Sequence, residues 1–170
     1  MAGDAFREDI FKNRTLFVAG GSGGINLAIA ERFAELGANI SLISRDAERV
    51  CAAARSIDPG GARAMGLAAD VRDFEAVDAA FAATVERFGE IDFVVSGAAG
   101  NFLAPVIGMS ANAFKTVIDI DLLGTFNVMR AAFDHLRKPG ASLISITAGQ
   151  AIRPTMFQAH AGAAKAGINN

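Results

Sequence analysis

The feature that most constrains this chain is a glycine-rich segment that directly follows an apolar run. Residues 20–24 read Gly-Gly-Ser-Gly-Gly, between the run Thr15–Val18 and a helical pattern. A strand that turns on glycines into a helix can hold a phosphate, because the first N–H groups of the helix point at the anion. The predicted nucleotide-binding residues are Gly20, Gly21, Ser22, Gly23, Gly24 and Ile25. The spacing Gly-x-x-x-Gly differs from the longer dinucleotide fingerprint, and a purely structural turn is the alternative.

Short apolar segments alternate with helical patterns along the chain. Five segments bounded by turn residues are predicted strands: Thr15–Ala19, Asn39–Ser44, Ala64–Ala69, Phe93–Ser96 and Ser142–Ile146. The predicted helices are Gly24–Leu36, Ala47–Ile57, Phe74–Phe88, Ala111–Asp121, Leu122–Leu136 and one that begins at about Gln158. This order predicts an α/β fold, a doubly wound parallel sheet of the Rossmann-like type with helices on both faces. Its ligands are expected at the carboxyl ends of the strands.

Composition narrows the class of protein and the partners. The chain has 170 residues, enough for one domain with a sizeable core, and a formal net charge of −2. Acidic and basic residues are interspersed, which argues against a nucleic-acid partner. We expect no membrane span, since no apolar run is long enough. Cys51 is the only cysteine and Met1–Asn13 has no apolar leader, so a reducing compartment and a cytoplasmic location are predicted.

The last helical pattern bears on whether the domain is whole. Ala159–Asn170 reaches the end of the sequence without a glycine or a turn. We therefore expect a single NAD(P)-binding domain over residues 1–170 that is incomplete at its C-terminus. A frayed natural terminus is the alternative.

Several motifs carry a resemblance to a known family. Gly20-x-x-x-Gly24, Asp70-Val71, Ala98-Ala99-Gly100 and Lys165 recur in the order used by short-chain dehydrogenases/reductases. Within that family, residues 98–103 (AAGNFL), 114–121 (FKTVIDID) and 158–165 (QAHAGAAK) resemble the peroxisomal type of 2,4-dienoyl-CoA reductase. The resemblance covers about residues 15–168. It implies NADPH-dependent reduction of an unsaturated fatty acyl-CoA, and a family length that includes two further strands.

The end of the second predicted strand bears on the choice of cofactor. An acidic residue there would bind a ribose 2′-hydroxyl, whereas this chain has Ser44-Arg45. A guanidinium can bind a 2′-phosphate, so the predicted cofactor is NADPH rather than NADH. Asp46 would weaken that preference, and Arg45 as a solvated loop residue is the alternative. The resemblance adds further cofactor contacts: Asp70, Val71, Ala98 and Lys165. By itself, Asp70 would instead be a helix cap.

The catalytic residues depart from the common family pattern. Ala161 stands at the family's Tyr position and Ala148 at its Ser position, and the chain contains no Tyr. Proton transfer from a phenol is therefore excluded. The resemblance implies that Asp121 orients a water as proton source, while Lys165 raises the acidity of that water and holds the nicotinamide ribose. The alternatives are a merely structural Asp121–Lys165 pair and a solvated Lys165.

Substrate contacts are implied by the resemblance alone. Asn101 and Phe102 would line the acyl pocket, with the Asn101 amide donating to the thioester carbonyl. The predicted CoA contacts are Arg72, Ser110 and Asn112. Locally, Phe102 would be a core residue, Ser110 an N-cap and Arg72 a surface charge.

Further expectations concern the oligomeric state, metal binding and the packing around the glycine turn. The complete relatives suggest a homo-oligomer, a dimer or tetramer, built on the predicted helix Leu122–Leu136 and the one near Gln158. His135 and His160 are interpreted as structural, and no metal site is predicted.

Asn26 stands at the third glycine of the turn, where we expect it to crowd the packing of helix on strand. Gly97 follows the fourth strand, where the family has an Asn. Two alternative functions remain open. One is a different short-chain reductase that acts on enoyl or keto substrates, and the other is a truncated, inactive nucleotide-binding fragment.

Overall fold

A computed structural model describes residues 6–170 of the chain. The expectation that Met1–Asn13 contains no apolar leader therefore falls partly, at positions 1–5, outside the described residues. Within the described part, one five-stranded parallel sheet has the order β3-β2-β1-β4-β5. The strands are β1 (Thr15–Ala19), β2 (Asn39–Ser44), β3 (Ala64–Ala68), β4 (Phe93–Ser96) and β5 (Ser142–Ser145). The order reverses direction at β1, whose neighbours on its two sides are β2 and β4. In open α/β sheets, ligands bind in the crevice at such a reversal.

Helices connect the strands and cover both faces of the sheet. The α-helices of residues 6–170 are α1 (Gly24–Glu35), α2 (Ala47–Ile57), α3 (Phe74–Phe88), α4 (Ala111–Val117), α5 (Gly124–Ala132) and α6 (Ala159–Asn169). A π-helical segment, Ile118–Leu123, joins α4 to α5. None of the helices in these residues is long and apolar enough to cross a bilayer.

The predicted elements are confirmed with two corrections. Every predicted strand is present with its bounds changed by at most one residue, and the helices α1, α2, α3 and α6 lie where they were predicted. The expected boundary between Ala111–Asp121 and Leu122–Leu136 is wrong, since π-helix spans this junction without a break. The helix that was predicted to end at Leu136 also ends earlier than expected, at Ala132. Apolar periodicity does not distinguish a π-turn from an α-turn, because both place apolar residues on one face.

The two faces of the sheet bury separate apolar clusters. Successive side chains of β1 alternate between them, as the pleat of a strand requires. Phe17 packs on the α3 side, where its ring lies 3.8 Å from that of Phe81. Leu16 and Val18 pack on the other side, with Val50 of α2. The sheet is thus buried on both faces, which confirms the doubly wound architecture.

The amino-terminal end of the sheet is closed by one buried carboxylate. Asp92 accepts the Thr15 N–H and hydrogen bonds from Arg14 and Arg137, both at 2.6 Å. Burial would raise the pKa of Asp92, but these hydrogen bonds more than offset it and hold the pKa below its usual range. Asp92 therefore ties β1, β4 and the segment before β5 together as a carboxylate.

Candidate cofactor and substrate site

A cleft of about 580 Å³ lies at the carboxyl ends of the strands, beside the reversal in strand order. Its walls come from the turns after β1, β2, β3 and β4. The lining residues are Gly20, Ser22, Asn26, Ser44, Arg45, Asp46, Arg49, Ala69, Asp70, Val71, Gly97, Ala98, Ala99 and Ile120. Ligand sites of small-molecule enzymes have this size and position.

The glycine turn, residues 20–24, has the backbone geometry that a bound phosphate needs. Gly20 has φ +80°, and a Cβ there would lie 2.8 Å from the backbone of Ala98. Gly24, the first residue of α1, has φ +61°. Two positive φ angles and this close approach require glycine, and they bring backbone rather than side chains to the cleft. The turn therefore fits the pyrophosphate of a dinucleotide at the start of α1.

Only some of the predicted cofactor residues line the cleft. Those that do are Gly20, Ser22, Arg45, Asp70, Val71 and Ala98. Those absent from its lining are Gly21, Gly23, Gly24, Ile25 and Lys165. Gly21 serves packing, because a Cβ there would lie 2.8 Å from the Leu42 side chain. Ile25 points into solvent with 70% of its surface exposed.

Asn26 braces the cleft instead of crowding it. Its amide nitrogen donates to the carbonyl oxygens of Gly20 at 3.1 Å and of Gly97 at 2.9 Å. A Cβ at position 97 would lie 2.1 Å from the Asn26 Oδ1. Glycine at position 97 thus leaves the space that the Asn26 side chain occupies. The expectation of crowding is wrong, because the two departures from the family pattern compensate each other.

The segment after β2 places two guanidinium groups along the cleft. Arg45 lies there as predicted, and Arg49 follows one turn into α2. Asp46 caps α2 by accepting the Arg49 N–H at 3.0 Å. Its carboxylate therefore serves the positive end of the helix, which reduces the expected interference with an anion.

Asp70 and Arg72 form an ion pair at the end of β3. The Arg72 Nε donates to the Asp70 Oδ1 at 3.0 Å, and its Nη2 donates to Oδ2 at 2.5 Å. These hydrogen bonds hold the pKa of Asp70 below its usual range. The alternative in which Asp70 caps the next helix is wrong, since Asp73 caps α3 by accepting the Ala76 N–H. Asp73 directly precedes the helix, three residues after Asp70, and has the usual extended N-cap backbone.

Asp121, which follows Ile120 of the cleft wall, meets Lys165 in the interior beside the cleft. The Lys165 Nζ lies 3.3 Å from the Asp121 Oδ2, and the two side chains are 9% and 1% exposed. Asp121 also accepts the Gly100 N–H at 2.7 Å, while Lys165 donates to the Ile146 carbonyl at 3.2 Å. The solvated alternative for Lys165 is therefore wrong. Asp121 lies on the π-helical segment, and such segments recur at functional sites because they redirect side chains.

The predicted acyl-pocket residues lie on the loop after β4. Asn101 donates to the buried Gln158 at 2.6 Å and accepts the Phe102 N–H at 2.8 Å. Phe102 is 39% exposed, so the interpretation as a core residue is wrong, and its ring packs 4.3 Å from that of His160. His160 is fully buried, and within residues 6–170 its ring nitrogens have no hydrogen-bond partner. One amide N–H of Asn101 remains free for a ligand.

The remaining predicted residues have plain structural surroundings. Ser110 caps α4 by accepting the Ala113 N–H at 3.1 Å, as its local interpretation requires. Asn112 is exposed on the first turn of α4. His135 pairs with Asp78 at 3.1 Å. In the part of the chain that the structure describes, no three His, Cys, Asp or Glu side chains are grouped to hold a metal ion.

Several residues of the site were not predicted from the sequence, and three of them have an evident role in its geometry. Arg49 lines the cleft, Gly97 makes room for Asn26, and Gln158 holds Asn101. A signal existed only for Arg49, which is a second arginine close to Arg45 and lies on the first turn of the predicted helix Ala47–Ile57. The other two act through contacts between distant segments.

Comparison with known proteins agrees with this geometry. The peroxisomal 2,4-dienoyl-CoA reductase of Saccharomyces cerevisiae is 43% identical over 170 residues, which cover 97% of this chain and 58% of that protein. The enzyme of the same name from Rattus norvegicus is 42% identical over 166 residues, covering 96% of this chain and 57% of the relative. The chain thus spans little more than half the length of these curated relatives. Their names contradict the cytoplasmic location, which is therefore withdrawn.

Solved structures and a family model give the same assignment. The citronellol catabolism dehydrogenase of Pseudomonas aeruginosa superposes with a TM-score of 0.89 at 32% identity, covering 98% of this chain and 68% of that one. A family model described as short chain dehydrogenase matches residues 14–170. The match begins just before β1 and includes every element of the site. This chain belongs to the short-chain dehydrogenase family.

Proposed function

We propose that this protein is an NADPH-dependent oxidoreductase that reduces a 2,4-dienoyl-CoA, an unsaturated fatty acyl thioester, by hydride transfer. In this proposal residues 1–170 form one dinucleotide-binding domain. The observation that carries it is the buried pair of Asp121 and Lys165 beside the cleft, in a chain without tyrosine. The names of the relatives, 2,4-dienoyl-CoA reductases that produce a (3E)-enoyl-CoA, support the substrate class.

The cleft supports a dinucleotide in one orientation. The glycine turn would hold the pyrophosphate, and Asp70 and Val71 would flank the adenine at the end of β3. Arg45 would bind the 2′-phosphate. Ala98 would lie against the cofactor on the β4 side, and Lys165 would hydrogen-bond the nicotinamide ribose. When bound there, NADPH supplies the hydride for the reaction.

The conjugated thioester explains why no phenol is needed. A hydride added at the far end of the diene drives negative charge onto the thioester oxygen, so the proton is required at carbon rather than at a carbonyl oxygen. The free amide N–H of Asn101 would stabilise that oxygen. Asp121, fixed by the Gly100 N–H and by Lys165, would orient the water that donates the proton. The ammonium of Lys165 would raise the acidity of this water.

The loop after β4 supplies the apolar surface that an acyl chain needs. Phe102 and Leu103 are 39% and 74% exposed beside the cleft wall formed by Ala98 and Ala99. In the proposal Phe102 contacts the acyl chain, and Ser110 and Asn112 at the start of α4 contact CoA. Arg72 would bind a CoA phosphate through its Nη1, because its Nε and Nη2 are held by Asp70.

A homo-oligomer, dimeric or tetrameric, is part of the proposal. Leu123, Phe126 and Phe133 are exposed along one stretch of helix at 43%, 60% and 61%. Large exposed apolar side chains on one helix are typical of a surface that packs against another subunit. Light scattering after size exclusion, compared between the wild type and Phe126→Glu, would test this part.

The test of the catalytic proposal is NADPH oxidation with a 2,4-dienoyl-CoA, compared between Asp121→Asn and Asp119→Asn. Asp119 is the matched control, because it lies on the same segment but pairs with the exposed Lys115. We expect Asp121→Asn to lower kcat about a hundredfold with NADPH affinity unchanged. The control should retain its activity.

Other outcomes separate the alternatives. Equal losses of activity and of folded protein in Asp121→Asn would make the pair with Lys165 structural only. Reduction of simple ketones in preference to the dienoyl thioester would favour another short-chain reductase. A wild-type protein that binds neither NADPH nor NADH in a fluorescence titration would contradict the proposed function.

A further inference from the structure

One hydrogen bond on the substrate side of the site joins two segments that the sequence did not predict to meet. The exposed Asn101 donates from its Nδ2 to the Oε1 of the buried Gln158 at 2.6 Å. Asn101 lies on residues 101–104, which follow β4 without regular secondary structure, whereas Gln158 is the N-cap residue of α6. A side chain on an exposed loop is thus held by one at the start of a helix.

Two further contacts hold the same loop against the start of α6. The Ala104 N–H donates to the Phe157 carbonyl oxygen at 3.2 Å. Phe157 has φ +63°, which residues other than glycine keep only where the surrounding structure holds them. The rings of Phe102 and His160 pack with their centroids 4.3 Å apart. The two segments therefore stay together by contacts that do not involve the Gln158 side chain.

The hydrogen bonds of Asn101 determine which way its amide faces. The Phe102 N–H donates to the Asn101 Oδ1 at 2.8 Å. Because a backbone N–H can only donate, the amide oxygen faces Phe102 and the amide nitrogen faces Gln158. The Gln158 oxygen accepts one of the two protons on that nitrogen. The second proton lies in the same amide plane, so its direction is fixed as well.

The direction of this second N–H matters for the proposed reaction, in which it stabilises the negative charge that develops on the thioester oxygen. Such a donor accelerates a reaction when it is held in place before the charge develops. The side chain of an exposed Asn without this partner would rotate among its rotamers and bind water. The hydrogen bond to Gln158 removes that freedom.

We infer that Gln158 is a positioning residue, which directs the free N–H of Asn101 at the thioester oxygen of the acyl-CoA. This inference rests on the proposed function, since it assumes that Asn101 contacts the thioester. Gln158 acts without touching the substrate, by accepting one proton of the Asn101 amide. Position 158 therefore requires a hydrogen-bond acceptor with the reach of glutamine.

Three variants of the full chain separate reach from chemical type. Gln158→Asn keeps the amide but is one methylene shorter, too short for this contact, and Asn is favoured at an N-cap, so α6 should still form. Gln158→Glu keeps both the reach and an acceptor. Gln150→Asn is the matched control, because Gln150 lines the same surface groove as Gln158 and its side chain has no hydrogen bond within residues 6–170.

The first measurement is kcat and KM for NADPH oxidation with a 2,4-dienoyl-CoA. We expect Gln158→Asn to lower kcat about tenfold and to leave KM within about twofold, because the charge on the thioester oxygen arises in the transition state. Gln158→Glu should restore most of kcat, and Gln150→Asn should behave as the wild type.

The second measurement follows the donor directly. The infrared carbonyl stretch of bound dienoyl-CoA, labelled with ¹³C at the thioester carbon and measured without NADPH, falls when a donor contacts the oxygen. We expect a lower frequency in the wild type, in Gln158→Glu and in Gln150→Asn than in Gln158→Asn. A merely structural role of Gln158 would lower the melting temperature without changing this frequency.

A third measurement uses the wild type alone and so does not depend on the folding of a variant. In ¹⁵N spectra, the Asn101 side-chain proton that is bonded to Gln158 should exchange with water more slowly than its partner on the same nitrogen. Equally fast exchange of both protons would overturn the inference.

The remaining outcomes distinguish the inference from the proposed function. Unchanged kcat and carbonyl frequency in Gln158→Asn, in a chain that reduces the dienoyl-CoA, would overturn the inference and leave the proposed function intact. Equal losses of kcat in Gln158→Asn and Gln158→Glu, with lowered melting temperatures, would make Gln158 structural only. A wild-type chain that binds NADPH and dienoyl-CoA but does not transfer hydride would contradict the proposed function itself.

Discussion

The proposed cofactor half and the proposed substrate half of the site are built in different ways. On the cofactor side, the glycine turn, Asn26 and Gly97 are held by hydrogen bonds between the turns after β1 and β4. On the substrate side, apolar side chains of the loops that follow β4 and β5 face solvent, among them Ile107 and Ile152 at 100% and 80% exposure. The first half has its shape before a ligand binds, whereas the second presents apolar surface that a ligand or a partner would bury. A substitution should therefore change folding and cofactor affinity in the first half, and neither in the second.

The largest difference is expected when alanine replaces one glycine in each half of the site, Gly20 in the first and Gly149 in the second. Gly20→Ala adds a Cβ 2.8 Å from the Ala98 backbone at φ +80°, which neither backbone can accommodate without moving. We expect a loss of about 2–3 kcal/mol in the free energy of unfolding. NADPH affinity should fall at least about tenfold, because the moved turn no longer presents its N–H groups. Gly149→Ala on the substrate side, where a Cβ would meet nothing within 4 Å, should change neither quantity.

Chemical denaturation and NADPH titration of both variants measure this difference. Comparable losses in Gly20→Ala and Gly149→Ala would show that the two halves are not distinct in the way the contacts indicate.

The next effect concerns the pair formed by Asn26 and Gly97. Gly97→Ala would push the Asn26 amide out of its two hydrogen bonds, with an expected loss of about 2 kcal/mol. The double variant Asn26→Ala/Gly97→Ala should be no less stable than Asn26→Ala alone, since the clash is gone. A thermodynamic cycle from urea denaturation should give a coupling of about 2 kcal/mol, and additive losses would contradict the contact.

A smaller effect is expected at the opposite end of the same strands. The pKa of Asp92 is lower in the folded than in the unfolded chain, so ionised Asp92 stabilises the fold above its unfolded pKa of about 4. This contribution is lost as the pH falls through the folded pKa. We expect Asp92→Asn to cost about 1–2 kcal/mol at neutral pH and to lose less stability than the wild type in acid. Denaturation midpoints from pH 7 downward test this, and parallel curves would show that Asp92 does not titrate with folding.

The smallest effect is expected on the substrate side. Ile107 is fully exposed on the loop after β4, so Ile107→Ser should change the free energy of unfolding by less than about 0.5 kcal/mol. NADPH affinity should be unchanged as well. A melting temperature well below that of the wild type would mean that this loop contributes to the fold and that the contrast between the halves is weaker.

Local patterns accounted for most of the fold and for part of the site. β1, β2 and β4 have the predicted bounds, because a short continuous apolar run and its flanking turn residues are signals that act over a few residues. The glycine turn and Arg45 reach the cleft for the same reason, since each directly follows a strand. The continuous run through the π-helical segment Ile118–Leu123 was missed because the apolar spacing at that junction also fits two helices.

The sequence by itself determined the order of strands and helices, the glycine turn, the absence of a tyrosine and the family resemblance, because each depends on neighbouring residues or on composition. Only the tertiary structure decided that Asn26 and Gly97, 71 positions apart, fit one another. It alone brought Lys165 to Asp121 out of solvent and placed Arg49 beside Arg45 along the cleft. These contacts form when the strands pair and bring their carboxyl ends together, and no local pattern encodes such distances.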